Sequence, residues 1–275
     1  MMTRLTDDMV KDIICSLDST DDTLVSLTGM NTLELACDAI GISPDTINTH
    51  DIRVGVVPVT SGLGIITRFS DSVAEIIKKL GMEAFVTESP DVAGLAEALS
   101  AKCDIIFMAD DVQFIAINAG NGRYSNNSFS TAAGYVSALK GAAKGLAGKA
   151  VLVLGAGRVG SIAAELIVSM GAEVTIYDID GKKANDLSRR VKIKVADDVG
   201  AALSSHDLIF NASPAPIEAD HIREGSIFSS PGIPFPFDDA GLKKVKAVIH
   251  DPLNIGVAVM AVQSASFSGP MELNR

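Results

Sequence analysis

The chain has 275 residues, 47% of them hydrophobic and 21% charged, with a net charge of −11, which suits one large or two small globular domains. The acidic balance, the lack of tryptophan and the few aromatics argue against nucleic acid as a partner, which needs concentrated Lys and Arg or a stacking platform. No apolar run is long enough to span a membrane, "MMTRLTDDMVKD" carries no signal-peptide core, and Cys15, Cys37 and Cys103 stand far apart, so a reducing, cytoplasmic setting is expected without disulfides or structural zinc.

Residues 1–50 read as short helices. Thr6 can cap the first, with Asp7 and Asp8 in its opening turn and Met9, Val10, Ile13, Ile14 and Leu17 along one face. Gly29 ends a second helix. Asn31 and Glu34 have the spacing of a capping box for a third, which Gly41 stops. "SPDTINTHD" reads as a linker.

From Arg53 the pattern alternates. "RVGVVPV", "EAFVT" and "CDIIFMAD" read as strands, separated by the helices "SDSVAEIIKKLG" and "DVAGLAEALSA". Such alternation implies βαβ units and a parallel sheet. "NAGNGRYSNNSFS" reads as a polar loop and 131–146 as a helix rich in small residues. A second series has expected strands near 150–154, 173–177, 191–195, 207–211, 225–229 and 246–250. "DPLNIGVAVMAVQSASF" reads as a helix packing back on the first sheet, and "SGPMELNR" as a loose tail. The fold class is α/β. A helical segment covers 1–50, an α/β substrate lobe 51–146, and a Rossmann doubly wound parallel-sheet domain 147–275.

The stretch "VLVLGAGRVGSIAAELIVSMGAEVTIYDID" carries the strongest motif. Gly155, Gly157 and Gly160 match the dinucleotide fingerprint. Its first glycine makes the turn, the second admits a pyrophosphate, and the third lets the helix sit close on the strand. The helix N-terminus, opening with Arg158 and Val159, offers unpaired N–H groups to phosphate. Asp178 lies 23 positions after Gly155 at the end of the next strand. A carboxylate there accepts from ribose hydroxyls and repels a 2′-phosphate, so NAD is expected over NADP. "NASP" with Ser213 and Pro214, and "SSPGIP" with Pro231, Gly232 and Ile233, follow later strands at their carboxyl ends. They are either coenzyme contacts or ordinary Ser-Pro turns.

In the front lobe polar groups also cluster at strand ends. Val59, Thr60 and Ser61 follow the first strand, Asp110 and Asp111 the third, and Asn126 and Asn127 lie beyond. Neighbouring strand residues point to opposite faces, so one of the two acids should face a cleft and the other cap a turn. His50, His206, His221 and His250 have no ligand spacing, and no metal site is expected.

Taken together, "VGVVPVTSGLGIITRFSDSV", "FMADD", "SNNSF", "GAGRVG" and "SPGIP" resemble the dehydrogenase family of pyrrolysine biosynthesis, in order from about residue 5 to 262. The resemblance implies NAD-dependent oxidation of the terminal ornithine amine of 3-methylornithyl-lysine. Ammonia is released and the α-amine closes the pyrroline ring. Leu5, Val59, Ser61, Asp110 and Asn127 match the family's substrate positions, with Thr60 between two of them. Arg158, Val159, Asp178, Ser213, Pro214 and the Pro231–Ile233 turn match its coenzyme contacts. Asp110 is the expected catalytic acid, binding an ammonium group or passing its proton through water, because an ordinary carboxylate is a poor base for an amine. The chain departs from the family pattern at Phe235, Phe237 and Asn254. A homodimer is expected, as is common among two-lobed dehydrogenases. Two other readings stay open: a shikimate-dehydrogenase-like NAD(P) oxidoreductase, and an NAD-sensing module without catalysis.

Overall fold

The computed structural model describes residues 5–267, so the tail "SGPMELNR" lies outside the described residues. The elements run α1 (Asp7–Val10), α2 (Ile13–Thr28), α3 (Thr32–Ala39), β1 (Arg53–Val57), α4 (Phe69–Lys79), β2 (Glu83–Val86), α5 (Asp91–Ser100), β3 (Ile105–Ala109), β4 (Phe114–Asn118), β5 (Tyr124–Asn126) and α6 (Asn127–Ala142). They continue with β6 (Ala150–Leu154), α7 (Arg158–Ser169), β7 (Glu173–Tyr177), α8 (Gly181–Ser188), β8 (Lys194–Val195), α9 (Val199–Ser205), β9 (Leu208–Asn211), β10 (Ile227–Ser229), α10 (Asp239–Lys244), β11 (Ala247–Ile249) and α11 (Asn254–Ser266). Two compact units result. One comprises Met1–Asp22, Asn31–Ser130 and Pro252–Arg275, the other Thr23–Met30 and Thr131–Asp251.

The first unit holds a five-stranded sheet in the order β2-β1-β3-β4-β5. The pairs β1–β2 and β1–β3 are parallel, as the alternation predicts. The pairs β3–β4 and β4–β5 are antiparallel. The polar composition of 118–130 predicts a loop and no strand at 114–118; both strands of this hairpin lie within 114–126. Phe114 and Ala116 alternate inward, and Asn118 and Gly122 shape the turn, with Gly122 at φ +75°. The following helix starts at Asn127, not near 131, because the Asn126 side chain accepts from the Phe129 N–H at 3.1 Å and caps it early. At the other end of the unit, the chain breaks the expected first helix at Lys11–Asp12, so α1 is a single turn before α2 begins. The capping box at Asn31 and Glu34 forms as the spacing predicts.

Helix α11 packs on β3, β4 and β5 of this sheet, as expected, and on α3 and α4. It is apolar on every side, the mark of a helix buried all round. Ile255, Val257, Val259, Met260 and Val262 are all fully buried, each stabilising by about 1.5–3 kcal/mol. The hairpin satisfies its Ser264, whose hydroxyl donates to Ala116 O at 2.7 Å and whose carbonyl accepts from Asn118 Nδ2 at 2.9 Å.

The second unit holds a six-stranded sheet in the order β11-β10-β9-β6-β7-β8, with every pair parallel. Strand order reverses at β6, which lies between β7 and β9. This is the topological switch point, where ligands bind in doubly wound sheets. The edge strand β8 is shorter than the reading of 191–195, keeping only Lys194 and Val195. Short, charged edge strands discourage pairing with another chain.

Candidate active site

In the second unit the register levels the strand ends. Leu154 pairs with Tyr177 and with Asn211, so Gly155, Asp178 and Ala212 stand in one row just beyond the sheet. Gly155 has φ +93°, a conformation that favours glycine, and its N–H donates to Tyr177 O at 2.7 Å. A Cβ on Gly160 would lie 1.9 Å from Gly155 O, so the helix can approach the strand only without one. A Cβ on Gly157 would meet nothing within 4 Å. Gly157 is thus spared a side chain although no protein atom requires it. The opening beside it fits a ligand backbone, at a helix start where no side chain caps the first N–H groups.

Asp178 is half-buried and fixed by two backbone N–H groups. Ala156 donates to Oδ2 at 2.6 Å and Asp180 to Oδ1 at 2.8 Å. The negative charge therefore stands against the glycine turn itself. Arg158 and Pro214 are exposed, while Val159 and Ser213 are half-buried.

A polar network joins the ends of β9, β10 and β11. Asn211, fully buried, donates through Nδ2 to Ser230 Oγ at 3.0 Å, and its Oδ1 accepts from Ser213 N–H at 3.1 Å. Gly232 N–H donates to Asn211 O at 3.0 Å, and a Cβ there would lie 2.3 Å from Ser213 O. The Pro231–Ile233 turn is thereby pressed against the Ser213 loop. His250 Nδ1 lies 2.7 Å from Ser230 O, which fixes that nitrogen as the protonated one. Its ring packs on Phe235 with centroids 4.9 Å apart. Below it, Tyr135 donates to Asp251 O and accepts from Asp251 N–H at 2.7 Å. Burial holds this phenol's pKa well above its ordinary value, with the Asp251 charge adding to the shift. Histidine and tyrosine in this network are residues that sequence spacing could not single out.

In the first unit a second row forms. Val57 pairs with Met108, Met108 with Ile115, and Ile115 with Asn126. Val59, Asp110 and Asn127 lie one or two residues beyond this row, at one end of the sheet. Four elements far apart in sequence thus bring three of the expected substrate residues to one edge. Val59 and Asn127 are half-buried, and Thr60, Ser61 and Asp110 exposed. Leu5 packs against the core of this unit. It precedes α1, whose Asp7 accepts from the Thr67 N–H at 2.9 Å.

The two neighbouring acids take different partners. Asp110 Oδ1 accepts from Val112 N–H at 2.8 Å and Gln113 N–H at 2.7 Å, closing its own turn, while Oδ2 takes neither bond. Asp111 reaches the loop after β1, where its Oδ2 accepts from Leu63 N–H at 2.7 Å. Asp91, which the sequence did not mark, holds the same loop: Thr60 donates to it through N–H at 2.8 Å and through the hydroxyl at 2.5 Å. These bonds, the hydroxyl's first, hold the Asp91 carboxyl below its ordinary pKa.

A doubly wound parallel sheet with this turn at its switch point defines a Rossmann-type protein of the NAD(P)-dehydrogenase fold. Shikimate dehydrogenase from Aquifex aeolicus shares that fold, with a TM-score of 0.55 at 17% identity over 80% of this chain and 94% of that one. Quinate dehydrogenase from Corynebacterium glutamicum, solved in complex with NAD, does so with a TM-score of 0.55 at 14% identity over 78% and 93%. Residues 9–125 match the model of the N-terminal domain of pyrrolysine biosynthesis protein PylD, and residues 123–219 that of the C-terminal domain of alanine dehydrogenase/PNT. Pyrrolysine synthase from Methanosarcina barkeri is 34% identical over 262 residues, 94% of this chain and 97% of that protein. The chain belongs to the pyrrolysine synthase family.

Among the described residues no helix is long and apolar enough to cross a membrane.

Proposed function

We propose that this chain is an NAD-dependent, deaminating amine dehydrogenase acting last in pyrrolysine biosynthesis. The substrate is 3-methylornithyl-lysine. Its terminal ornithine amine becomes an imine, water releases ammonia and leaves an aldehyde, and the α-amine condenses with that aldehyde to close the ring. NAD, when bound, supplies the hydride acceptor. The observation that carries the assignment is Asp178 fixed against the glycine turn by two backbone N–H groups, in a chain of this family. A fixed carboxylate there favours two free ribose hydroxyls and disfavours a 2′-phosphate.

Arg158, Val159 and Gly160 present the helix N-terminus to the pyrophosphate, with Gly155 and Gly157 leaving the backbone bare. Ser213, Pro214 and the Pro231–Ile233 turn line the path toward the nicotinamide. On the substrate side, Val59 and Leu5 offer apolar contact, Thr60 and Ser61 hydroxyls, and Asn127 an amide. Asp110 holds the ammonium through the oxygen that its own turn does not use. Hydride can leave the carbon beside an amine only when that amine is uncharged. Asp110 therefore orients the group and relays its proton through water to solvent.

A shikimate-type reaction is disfavoured by a specific observation. The enzymes of that class present a lysine–aspartate pair in the substrate lobe. In the first unit the aspartates paired with Lys11 and Lys79, Asp8 and Asp18, belong to the N-terminal helices and not to the strand ends, and Lys78 pairs with Glu75 on its own helix. Lys102 precedes β3, at the strand end opposite Asp110. A non-catalytic sensor has no need of the polar edge that Asp110 and Asn127 form beside Val59. A cytoplasmic homodimer completes the proposal; light scattering of the purified chain tests its second half.

The test is turnover. The purified chain is mixed with NAD and synthetic isopeptide, and NADH absorbance is followed together with product mass. NADH formation with loss of ammonia and ring closure is expected; turnover of only a keto or hydroxy acid, or none, overturns the assignment. Asp110→Asn keeps an oxygen for the Val112 and Gln113 N–H groups but removes the charge. It is expected to lose at least about 100-fold in kcat/KM with NAD affinity unchanged; full activity removes Asp110 from the mechanism.

A further inference from the structure

Asp91 and Asp111 lie outside every role assigned so far, yet both grip the loop that carries Val59 and Ser61. We infer that Asp91 is a positioning residue that, together with Asp111, sets the shape of this loop for substrate; the inference rests on the substrate role proposed for the loop.

Three observations converge. First, Asp91 opens α5 at φ +55°, in the left-handed region that favours glycine. An acid at a helix start ordinarily serves its own helix, accepting from the first N–H groups or meeting the dipole. Here it turns both oxygens to Thr60 instead. Its own N–H donates to Pro58 O at 2.9 Å. Asp91 thus ties down the residues on both sides of Val59.

Second, Asp111 ties the far side. Its bond to Leu63 N–H passes Gly62, which has φ +71° and whose absent Cβ would lie 2.1 Å from Asp111 Oδ2. Ser61 therefore sits between two tethered points, Thr60 and Gly62–Leu63. Third, a non-glycine residue in a strained conformation persists only where its surroundings over-determine it, and such residues gather at functional sites. Glycine would relieve the backbone of Asp91. What glycine cannot supply is the carboxylate.

The experiment uses Asp91→Gly and Asp91→Asn in the full chain. Glycine accepts φ +55° without strain, which offsets part of the loss of the two Thr60 bonds, so Asp91→Gly folds with a Tm close to that of the parent. Two readouts are taken. Amide hydrogen exchange is expected to lose about tenfold or more of its protection at Thr60, while Leu63, held by Asp111, keeps its protection. KM for the isopeptide is expected to rise about tenfold or more, with KM for NAD unchanged. Asparagine tolerates the left-handed conformation and keeps one acceptor, so Asp91→Asn falls between. Parental exchange at Thr60 in Asp91→Gly, or a rise in both KM values together, overturns the inference. Should the parent chain itself make no NADH from the isopeptide, the proposed function fails, and the exchange at Thr60 still decides the tether by itself.

Discussion

The chain contains two loops with the same place in their sheets and opposite construction. Gly155–Gly160 follows β6 and opens α7; residues 58–68 follow β1 and open onto α4. The glycine turn is shaped by side chains that are missing. Gly155 takes a positive φ, Gly160 lets the helix touch the strand, and Gly157 faces open space. The loop after β1 is shaped by side chains that arrive from elsewhere, Asp91 from 31 positions away and Asp111 from 48 positions beyond Leu63. A diphosphate is the same in every dinucleotide, so a bare backbone can hold it. A branched, zwitterionic isopeptide needs individually placed groups, and these must be held by others.

That contrast is broken most severely at the glycine turn. Gly160→Ala places a methyl 1.9 Å from a backbone oxygen that cannot yield. A loss of about 3 kcal/mol in stability is expected, seen as a Tm lower by roughly 6–12 °C, together with loss of NAD binding. Gly157→Ala is the matched control. Its methyl enters open space, so Tm should stay within about 2 °C while the Kd for NAD rises tenfold or more by calorimetry, about 1.4 kcal/mol. If both variants lose stability alike, or Gly157→Ala binds NAD normally, the opening beside Gly157 does not receive the coenzyme.

Next in size is the acid beside the turn. Asp178→Arg removes the acceptor of the Ala156 and Asp180 N–H groups and brings a cation to where a 2′-phosphate would lie. NAD affinity should fall about tenfold and NADP affinity rise. Titration of both coenzymes checks this, and an unaltered preference would mean that the carboxylate does not meet the ribose.

The same contrast explains what could be read in the sequence. The coenzyme turn lies within six residues, and its acid follows after one helix, so the pattern Gly155-Gly157-Gly160-Asp178 is visible in the chain itself. Strands β6 and β9 and the middle of helix α11 were legible for the same reason, being local apolar runs, and β7 by its position one helix after the glycine turn. The hairpin β4–β5 was not. Its strands are short, end on Asn and flank a turn rich in Asn and Gly, which reads as loop, and the antiparallel pairing depends on Ser125 and Asn118 finding α11 far along the chain, at Met260 and Ser264. On the substrate side the sequence marked Val59, Asp110 and Asn127, which register brings to one sheet edge. It treated Asp110 and Asp111 as alternatives for one position, whereas Asp110 closes its own turn and Asp111 crosses to another loop. Asp91 was invisible, since an aspartate at a helix start looks like an ordinary capping residue until its φ and its partner are known.

The smallest expected effect sharpens the contrast at the loop after β1, where Asp91 tethers Thr60. The Asp91 carboxyl is held below its ordinary value of 3.8, first by the Thr60 hydroxyl and then by the Thr60 N–H. A carboxyl whose folded pKa is depressed adds stability that is fully present above the unfolded value and is lost as pH falls through the folded one. The bonds to Thr60 should therefore hold from neutral pH down to about 4 and then weaken below that point. Asp91 is only half-buried, so the change in global stability should be slight and the local signal the better measure. Followed by NMR, the Thr60 amide shift should titrate with a midpoint below 3.8, and in Asp91→Asn this step should vanish. A midpoint at or above that value would mean that solvent competes successfully for the carboxylate, and that the loop keeps its shape without it.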